Sequence, residues 1–492
     1  MPQPITADQP ATHDLPRGLP SSVGIDGFEV AAFLEAVQQA GLELHGVMLE
    51  RDGVLVVDAW RWPYDSLTPR VTHSITKSFT ACAIGLAIDE GLLRLDDPLT
   101  KFFPQAAAGA TDPRAAQITV EHLLTMRTGH GGNTSGSIWR GIDGSWVEEF
   151  FRIPLTSAPG TDFVYTSAAS YMLSAVLTQV AGVTLHDYLK PRLLEPLGFE
   201  EQHWDISPEG ISPGGNGLTA RPVDVLKLAM LHRDGGRWNG EQVLPQAWVE
   251  AATRAQGGEG SRYGYHWWTD RPANGYSAVG VFAQMAAVIP GERATLTVFG
   301  AMEKSAQVTP FIDRHLSAAL RGEQAGAAGD ERLREVLQRF AEEQPLRSLA
   351  RPTQPLPARM SFALEANPYG IETLNLLQAG ERLVMEWVEA TGSERIEAGI
   401  DHWVAGTSSL PGAQLHHGYA LRDAPVVATA RWVAADRLEL EWVYPRSAFR
   451  DRVYLSFAGE RVCLERSVNI NSGIRAWEPL HGMSTHNPTR HV

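Results

Sequence analysis

The sequence predicts two folded domains: a mixed α/β (α+β) domain over residues 23–321 and an all-β barrel or sandwich over residues 359–480. Three observations predict this. The chain has 492 residues, and a single hydrophobic core rarely grows past about 250–300 residues. Strand signals stand at both ends of the first segment and enclose helical ones, so one sheet takes strands from both ends. Beyond a proline-rich stretch near residue 355 the pattern changes to short runs rich in Val, Leu, Trp and Tyr, separated by turn signals at roughly ten-residue spacing.

The elements follow in order. Residues 1–22 are rich in Pro, Ser, Thr and Gly and read as a loose arm. VMLERDGVLVVDAW (47–60) is two β-rich runs around Asp52-Gly53, a hairpin signal. Residues 74–90 predict a helix stopped by Gly91. Thr119 can cap a short helix VEHLLTM. Ser170 to Val180 is apolar on a helical period, with Gly182 behind it. Pro222 to His232 is a helix opened by proline. Tyr276–Ile289 and Ala294–Ala301 read as two strands of a second hairpin around Pro290-Gly291. Residues 322–358 read as a linker. It carries one amphipathic helix, with Leu333, Val336, Leu337 and Phe340 at i, i+3, i+4 and i+7. LVMEWVEA, VVATARWV, LELEWVY, RVYLSFAG and RVCLER are the strands of the second domain, and 481–492 read as a frayed tail.

Composition excludes several classes. With 43% hydrophobic and 20% charged residues, the chain can bury a core and is not predominantly disordered. A formal net charge of −15 argues against a nucleic-acid partner, which needs clustered Lys and Arg at phosphates. No run of about 18 apolar residues suggests a membrane span. The first 22 residues lack a charged start followed by an apolar core, so no secretory signal is expected and cytoplasmic residence is the expectation. Cys82 and Cys463 make neither a metal spacing nor a disulfide framework. The histidines show no metal spacing either, and neither metal nor cofactor is expected. A homo-oligomer is allowed and not required.

Three short segments carry chemistry. Ser74-Ile75-Thr76-Lys77 puts a hydroxyl and an amine on one face of a helix, with Cβ atoms about 5–6 Å apart. A desolvated neutral lysine can accept the serine proton. The free N–H groups and positive dipole end at the helix start favour an oxyanion. The spacing alone is common, with one or two chance matches expected in a chain of this length. Tyr165-Thr166-Ser167 supplies a phenol able to move protons and a hydroxyl able to orient Lys77. Tyr64-Asp65-Ser66 has the same spacing. Ala278-Val279-Gly280-Val281 reads as an edge strand whose backbone N–H can face an oxyanion, with Gly280 allowing close approach.

HSITKSFTACAIGLAIDEGLLRLDDPLTKFFP resembles the nucleophile helix of the serine β-lactamase-related, penicillin-binding-protein-like family. That family includes class C β-lactamases, DD-peptidases, D-aminopeptidases, esterases and nylon-oligomer hydrolases. ITVEHLLTMRTGH, PGTDFVYTSAASYMLSAVLTQVAG, LLEPLGF and PVDVLKLAMLHRDGG follow in the family's order, over roughly residues 25–320. Tyr64 precedes the Ser-Lys motif and does not fit the order, whereas Tyr165 does. The resemblance implies a β-lactamase/transpeptidase-like fold with a central antiparallel sheet and flanking helices. It implies Ser74 as acylated nucleophile, Lys77 and Tyr165 as its proton-handling partners, and the N–H groups of Ser74 and Val281 as oxyanion hole. The β domain resembles the lipocalin-like modules found on some members. Two departures stand out: Ser167 replaces the Asn of many members, and Ala278 stands where Lys or His usually helps bind a substrate carboxylate.

The expected chemistry is two-step acyl transfer to water on a small, uncharged ester or amide. A β-lactamase or D-amino-acid peptidase is one alternative, disfavoured by Ala278. A catalytically inactive binding protein of the same fold is another, disfavoured by intact Ser74, Lys77 and Tyr165. His130, with Gly131-Gly132, is a candidate pocket residue. Trp139, Trp267 and Trp268 are candidate walls of an acyl cleft. His73, adjacent to Ser74 on a helix, points away from it.

Overall fold

Leu44–Arg51 (β1) and Val54–Trp60 (β2) form the expected antiparallel hairpin. Asp52 and Gly53 both take positive φ, 53° and 85°, as a tight two-residue hairpin turn requires. The computed structural model describes residues 15–132, 141–258, 260–342, 346–352 and 357–485, in two units, Met1–Ala341 and Glu342–Val492.

In the first unit, β1 pairs with Ala294–Gly300 (β6), whose other neighbours run through Gln284–Ile289 (β5) and Tyr276–Gly280 (β4) to Trp268–Thr269 (β3). The six strands, in the order β2-β1-β6-β5-β4-β3, are antiparallel throughout. Strands from both ends of the segment thus share one sheet, as expected. The second hairpin is a three-stranded meander instead. The run 276–289 breaks at Phe282 and Ala283, both at positive φ (64° and 65°). Neither residue type announces such a turn.

Alternate strand positions face opposite sides of the sheet. Val47, Leu49, Val57, Met285, Ala287, Leu296 and Val298 pack against Phe33, Leu34 and Val37 of helix Gly27–Gln39 (α1). Helices Thr76–Asp89 (α2) and Ser167–Ala181 (α3) pack on each other. Pro222–Arg233 (α4) lies along β5 and β6.

Three boundaries differ from expectation. Residues 15–22 are not a loose arm. Leu15 is buried, Arg17 pairs with Asp58 at 2.9 Å, and Pro20–Val23 form a short helix; residues 1–14 lie outside the described residues. The amphipathic helix assigned to the linker, Ala327–Ala341 (α5), belongs to the first unit. Its predicted stripe of Leu333, Val336, Leu337 and Phe340 is buried in the same core as α1, and Arg332 pairs with Glu35 at 2.7 Å. An apolar stripe needs a partner surface, and α1 supplies it. Finally, Leu480–Ser484 is a strand and not a frayed tail.

The second unit is a barrel. A ten-stranded sheet, in which Arg359–Leu364 and Leu480–Ser484 are neighbours, closes nine of its strands into a ring where Gly399 and Ile400 pair in parallel with Thr429 and Ala430. Met385, Trp387, Leu440, Trp442, Val453, Leu455 and Leu464 are buried. Among the tryptophans sits a fully buried ion pair: Arg466 Nε lies 2.8 Å from Asp451, which His416 also contacts at 2.6 Å. No single helix among the described residues is long and apolar enough to cross a membrane.

Replacing Leu333 by Ala should destabilise the first unit by about 2–5 kcal/mol, the usual cost of deleting a buried leucine side chain. Denaturant unfolding followed by amide exchange in β1 and β2 measures this. Unchanged protection there would show that α5 is not part of that core.

Candidate active site

The loop before α2 is tied down on both sides. Arg70–Val71 pairs with Leu218–Ala220, and Thr72 sends both its N–H (3.0 Å) and its hydroxyl (2.8 Å) to the Leu218 carbonyl. His73 then takes φ 50°, a left-handed conformation uncommon for a non-glycine residue. It packs edge-on against Phe282, with ring centroids 5.5 Å apart. One turn of 3₁₀ helix, His73–Ile75, leads into α2, so Ser74 stands at a helix start.

Lys77 is one turn further on. It is 1% exposed, and its Nζ lies 3.0 Å from Ser74 Oγ, 3.0 Å from Ser167 Oγ and 2.7 Å from the Gly215 carbonyl oxygen. Three acceptors from three segments therefore surround one buried amine. Ser167 opens α3, capped by the Thr166 hydroxyl, which accepts from Ala168 N. Gly215 reaches its place because it has no side chain: a Cβ there would lie 2.9 Å from Ser167 Cβ, and one on Gly214 would lie 2.3 Å from the Ser170 carbonyl. These two glycines were missed in the sequence, where Gly-Gly in SPGGNG reads only as loop.

Tyr165 completes the cluster, its hydroxyl close enough to that of Ser74 for Ser74 to favour the phenolate. Trp268 stacks on its ring at 5.6 Å, Tyr263 meets it edge-on at 6.1 Å, and Lys77 Nζ lies 5.0 Å from its centroid. The residue as a whole is 37% exposed, yet the protein packed around the hydroxyl raises its pKa to about 12, the neighbouring Ser74 hydroxyl opposing that rise. At neutral pH it is a proton donor.

Behind Lys77 lies His266, also missed in the sequence. It is buried, with Nε2 3.0 Å from Ser170 Oγ, and its carbonyl accepts from Ser78 Oγ at 2.7 Å. Burial, helped by the charge of Lys77, lowers its pKa to about 3.

β4 approaches the loop that carries Ser74 closely. A Cβ on Gly280 would lie 2.6 Å from the Thr72 carbonyl and 3.1 Å from His73 Cβ. Ser305 clamps the turn after it, donating to the Gly280 carbonyl (2.6 Å) and accepting from Ala283 N (3.1 Å). Gln284 holds the Phe282 and Gly300 carbonyls at 2.9 Å each. Val281 thus sits in a pinned turn directly after the residue that approaches Thr72 and His73. Ala278 is buried against Ala286 and brings no charge.

Two other candidates fall elsewhere. His130 is a structural residue and not a pocket group. It is buried, with Nδ1 3.0 Å from Thr128 Oγ1 and Nε2 3.1 Å from the Phe150 carbonyl. Trp267 is fully buried against His232 and Tyr276. Trp139 lies outside the described residues. Among the described residues, no cluster of His, Cys, Asp or Glu could hold a metal ion.

The family model for Beta-lactamase matches residues 31–317. The chain is 31% identical over 175 residues to the lovastatin esterase of Penicillium rubens, covering 31% of this chain and 42% of the esterase. It is 26% identical over 243 residues to the 6-aminohexanoate-dimer hydrolase of Paenarthrobacter ureafaciens, covering 43% and 60%. The chain therefore spans less than two thirds of either relative. A solved structure from Bacillus anthracis, provisionally assigned as a 6-aminohexanoate-dimer hydrolase, superposes with a TM-score of 0.52 at 18% identity, over 64% of this chain and 90% of that one. That likeness concerns the fold.

The buried histidines set an acid limit. Burial holds His130 and His232 near pKa 4 and His266 near 3, against about 6.5 when unfolded. Below pH 6.5 the unfolded chain takes up protons that the native one does not, so stability falls as pH drops toward 4. Thermal melts between pH 7 and pH 4 should show a steadily falling midpoint, and a flat profile would contradict it.

Proposed function

Because the chain belongs to the beta-lactamase family, we propose that it is a serine hydrolase that cleaves small esters or amides through a covalent acyl-enzyme on Ser74. The observation that carries this reading is the meeting of the Ser74 hydroxyl, the Lys77 amine and the Tyr165 phenol, contributed by segments some ninety residues apart. As an ammonium, Lys77 can donate to all three of its neighbours. As a neutral amine, it keeps the donations to Ser167 and Gly215 and turns its lone pair to Ser74. In that form it takes the Ser74 proton as the oxygen attacks the carbonyl. The N–H groups of Ser74 and Val281 receive the oxyanion. Tyr165, protonated at neutral pH, donates to the leaving group, and water then releases the acyl group by the reverse proton path.

The two relatives are an esterase and an amide hydrolase by name, which supports ester or amide bonds as the target. Ala278 leaves the strand beside Ser74 without the cation that a carboxylate next to the scissile bond needs. The reacting part of the substrate is therefore uncharged.

Short p-nitrophenyl esters, a chromogenic cephalosporin and D-amino-acid amides should be compared on wild type and Ser74→Ala. Ester or simple amide turnover lost in the variant is expected. Cephalosporin turnover with weak esterase activity would favour a β-lactamase. No turnover, with no labelling by a serine-reactive phosphonate, would favour an inactive binding protein.

Tyr165→Phe separates the proton roles. It should lower kcat about 10²–10⁴-fold on amides, whose leaving group needs a proton. On p-nitrophenyl esters, whose leaving group needs none, the loss should be far smaller. Equal losses on both would make Tyr165 the base for Ser74 instead.

A further inference from the structure

A cavity of about 330 Å³ is walled by Phe163, Tyr263, Trp268 and the backbone of residues 260–261, with Arg127 and Arg262 also lining it. Small-molecule sites commonly run from about 300 to 1,000 Å³. Two of its walls belong to the candidate catalytic centre as well, since Trp268 and Tyr263 both pack on the Tyr165 ring. A molecule in the cavity is thus one aromatic ring away from the Tyr165 side chain.

Cations gather around this cavity in a chain whose formal net charge is −15. Several arginines elsewhere pair with carboxylates, as Arg114, Arg192, Arg221 and Arg233 do. Arg127 and Arg262 are joined by Arg271, which lies 5.2 Å over the Trp268 ring. None of the three forms an ion pair with a carboxylate among the described residues. Burial and the like charge of Arg262 lower the Arg271 pKa. Arg127 donates to the Thr161 carbonyl, while its Nε is buried without a partner. The loop closes on that guanidinium because residue 257 is glycine at φ 86°; a Cβ there would lie 2.2 Å from Nε. Like charges gathered beside flat apolar walls, with no carboxylate paired to them among the described residues, favour an anion brought by a ligand.

We infer that this cavity is a subsite for a part of the substrate remote from the scissile bond, and that it takes a flat apolar group ending in an oxyanion, such as an aryl carboxylate or aryl phosphate. The word substrate rests on the hydrolase reading; the binding itself does not. The neutral strand at Ala278 and the arginine cluster divide the work: no charge is read next to the reacting carbonyl, and one is read beyond the aromatic wall.

Two measurements on the full chain test this. In the first, 4-hydroxybenzoate, its methyl ester and phenyl phosphate are titrated calorimetrically into the Ser74→Ala protein. At least one anion should bind ten-fold or more tightly than the methyl ester, as a charge-assisted contact allows, and the order of the two anions identifies the preferred group. The preference should vanish in Arg262→Gln/Arg271→Gln, whose folding is checked by its melting curve. Equal binding of anions and methyl ester, or a preference that survives in the double variant, overturns the inference. In the second, wild type is assayed on 4-acetoxybenzoate and methyl 4-acetoxybenzoate. The ratio of kcat/KM should favour the anion ten-fold or more and collapse in the double variant. Hydrolysis of both at similar rates overturns the subsite and leaves the hydrolase reading standing. Hydrolysis of neither counts against the hydrolase reading, and the calorimetry then decides the subsite alone.

Discussion

The buried amine of Lys77 is the constraint on which the rest of the first unit depends. An ammonium or amine taken out of water is costly unless its hydrogen-bonding capacity is filled. Here one acceptor comes from its own helix, one from the start of α3 and one from a loop carbonyl. Moving any of these segments leaves a polar group stranded, so the amine locks together pieces of chain separated by up to 138 positions. The same three contacts hold Ser74 at hydrogen-bonding distance.

Much of the surrounding backbone serves that meeting point. Gly214 and Gly215 let a loop press against α3, and Gly280 lets β4 press against the loop that carries Ser74. His73, Phe282 and Ala283 accept left-handed conformations at the two turns that face each other. Strained backbone of this kind persists only where its surroundings over-determine it. Ser305, Gln284 and the Thr72–Leu218 contacts supply that determination. His266, buried and neutral beside Lys77, adds no charge to compete with it.

The two units solve the problem of buried charge by different means. In the barrel, Arg466 and Asp451 are matched directly and packed among tryptophans, an arrangement complete in itself. Around Tyr165 the arginines pair with no carboxylate among the described residues, and the aromatic walls enclose open space. The first pattern belongs to a folded core, the second to a surface that meets a ligand.

The chain order of its motifs determined the family, and local periodicity determined most elements. The 44–60 hairpin, α2, α3, α4 and the barrel strands are legible because hydrophobic spacing and turn residues act over a few positions. Ser74 and Lys77 were legible for the same reason, being one helical turn apart. What tertiary structure decided lies at longer range. That α5 joins the first core, that the 276–289 run breaks at Phe282, that His130 is filled from both sides, and that Gly215, His266 and Ser305 support the site all depend on neighbours distant in sequence. No local pattern encodes them, because each is set by which surfaces meet once the chain has folded.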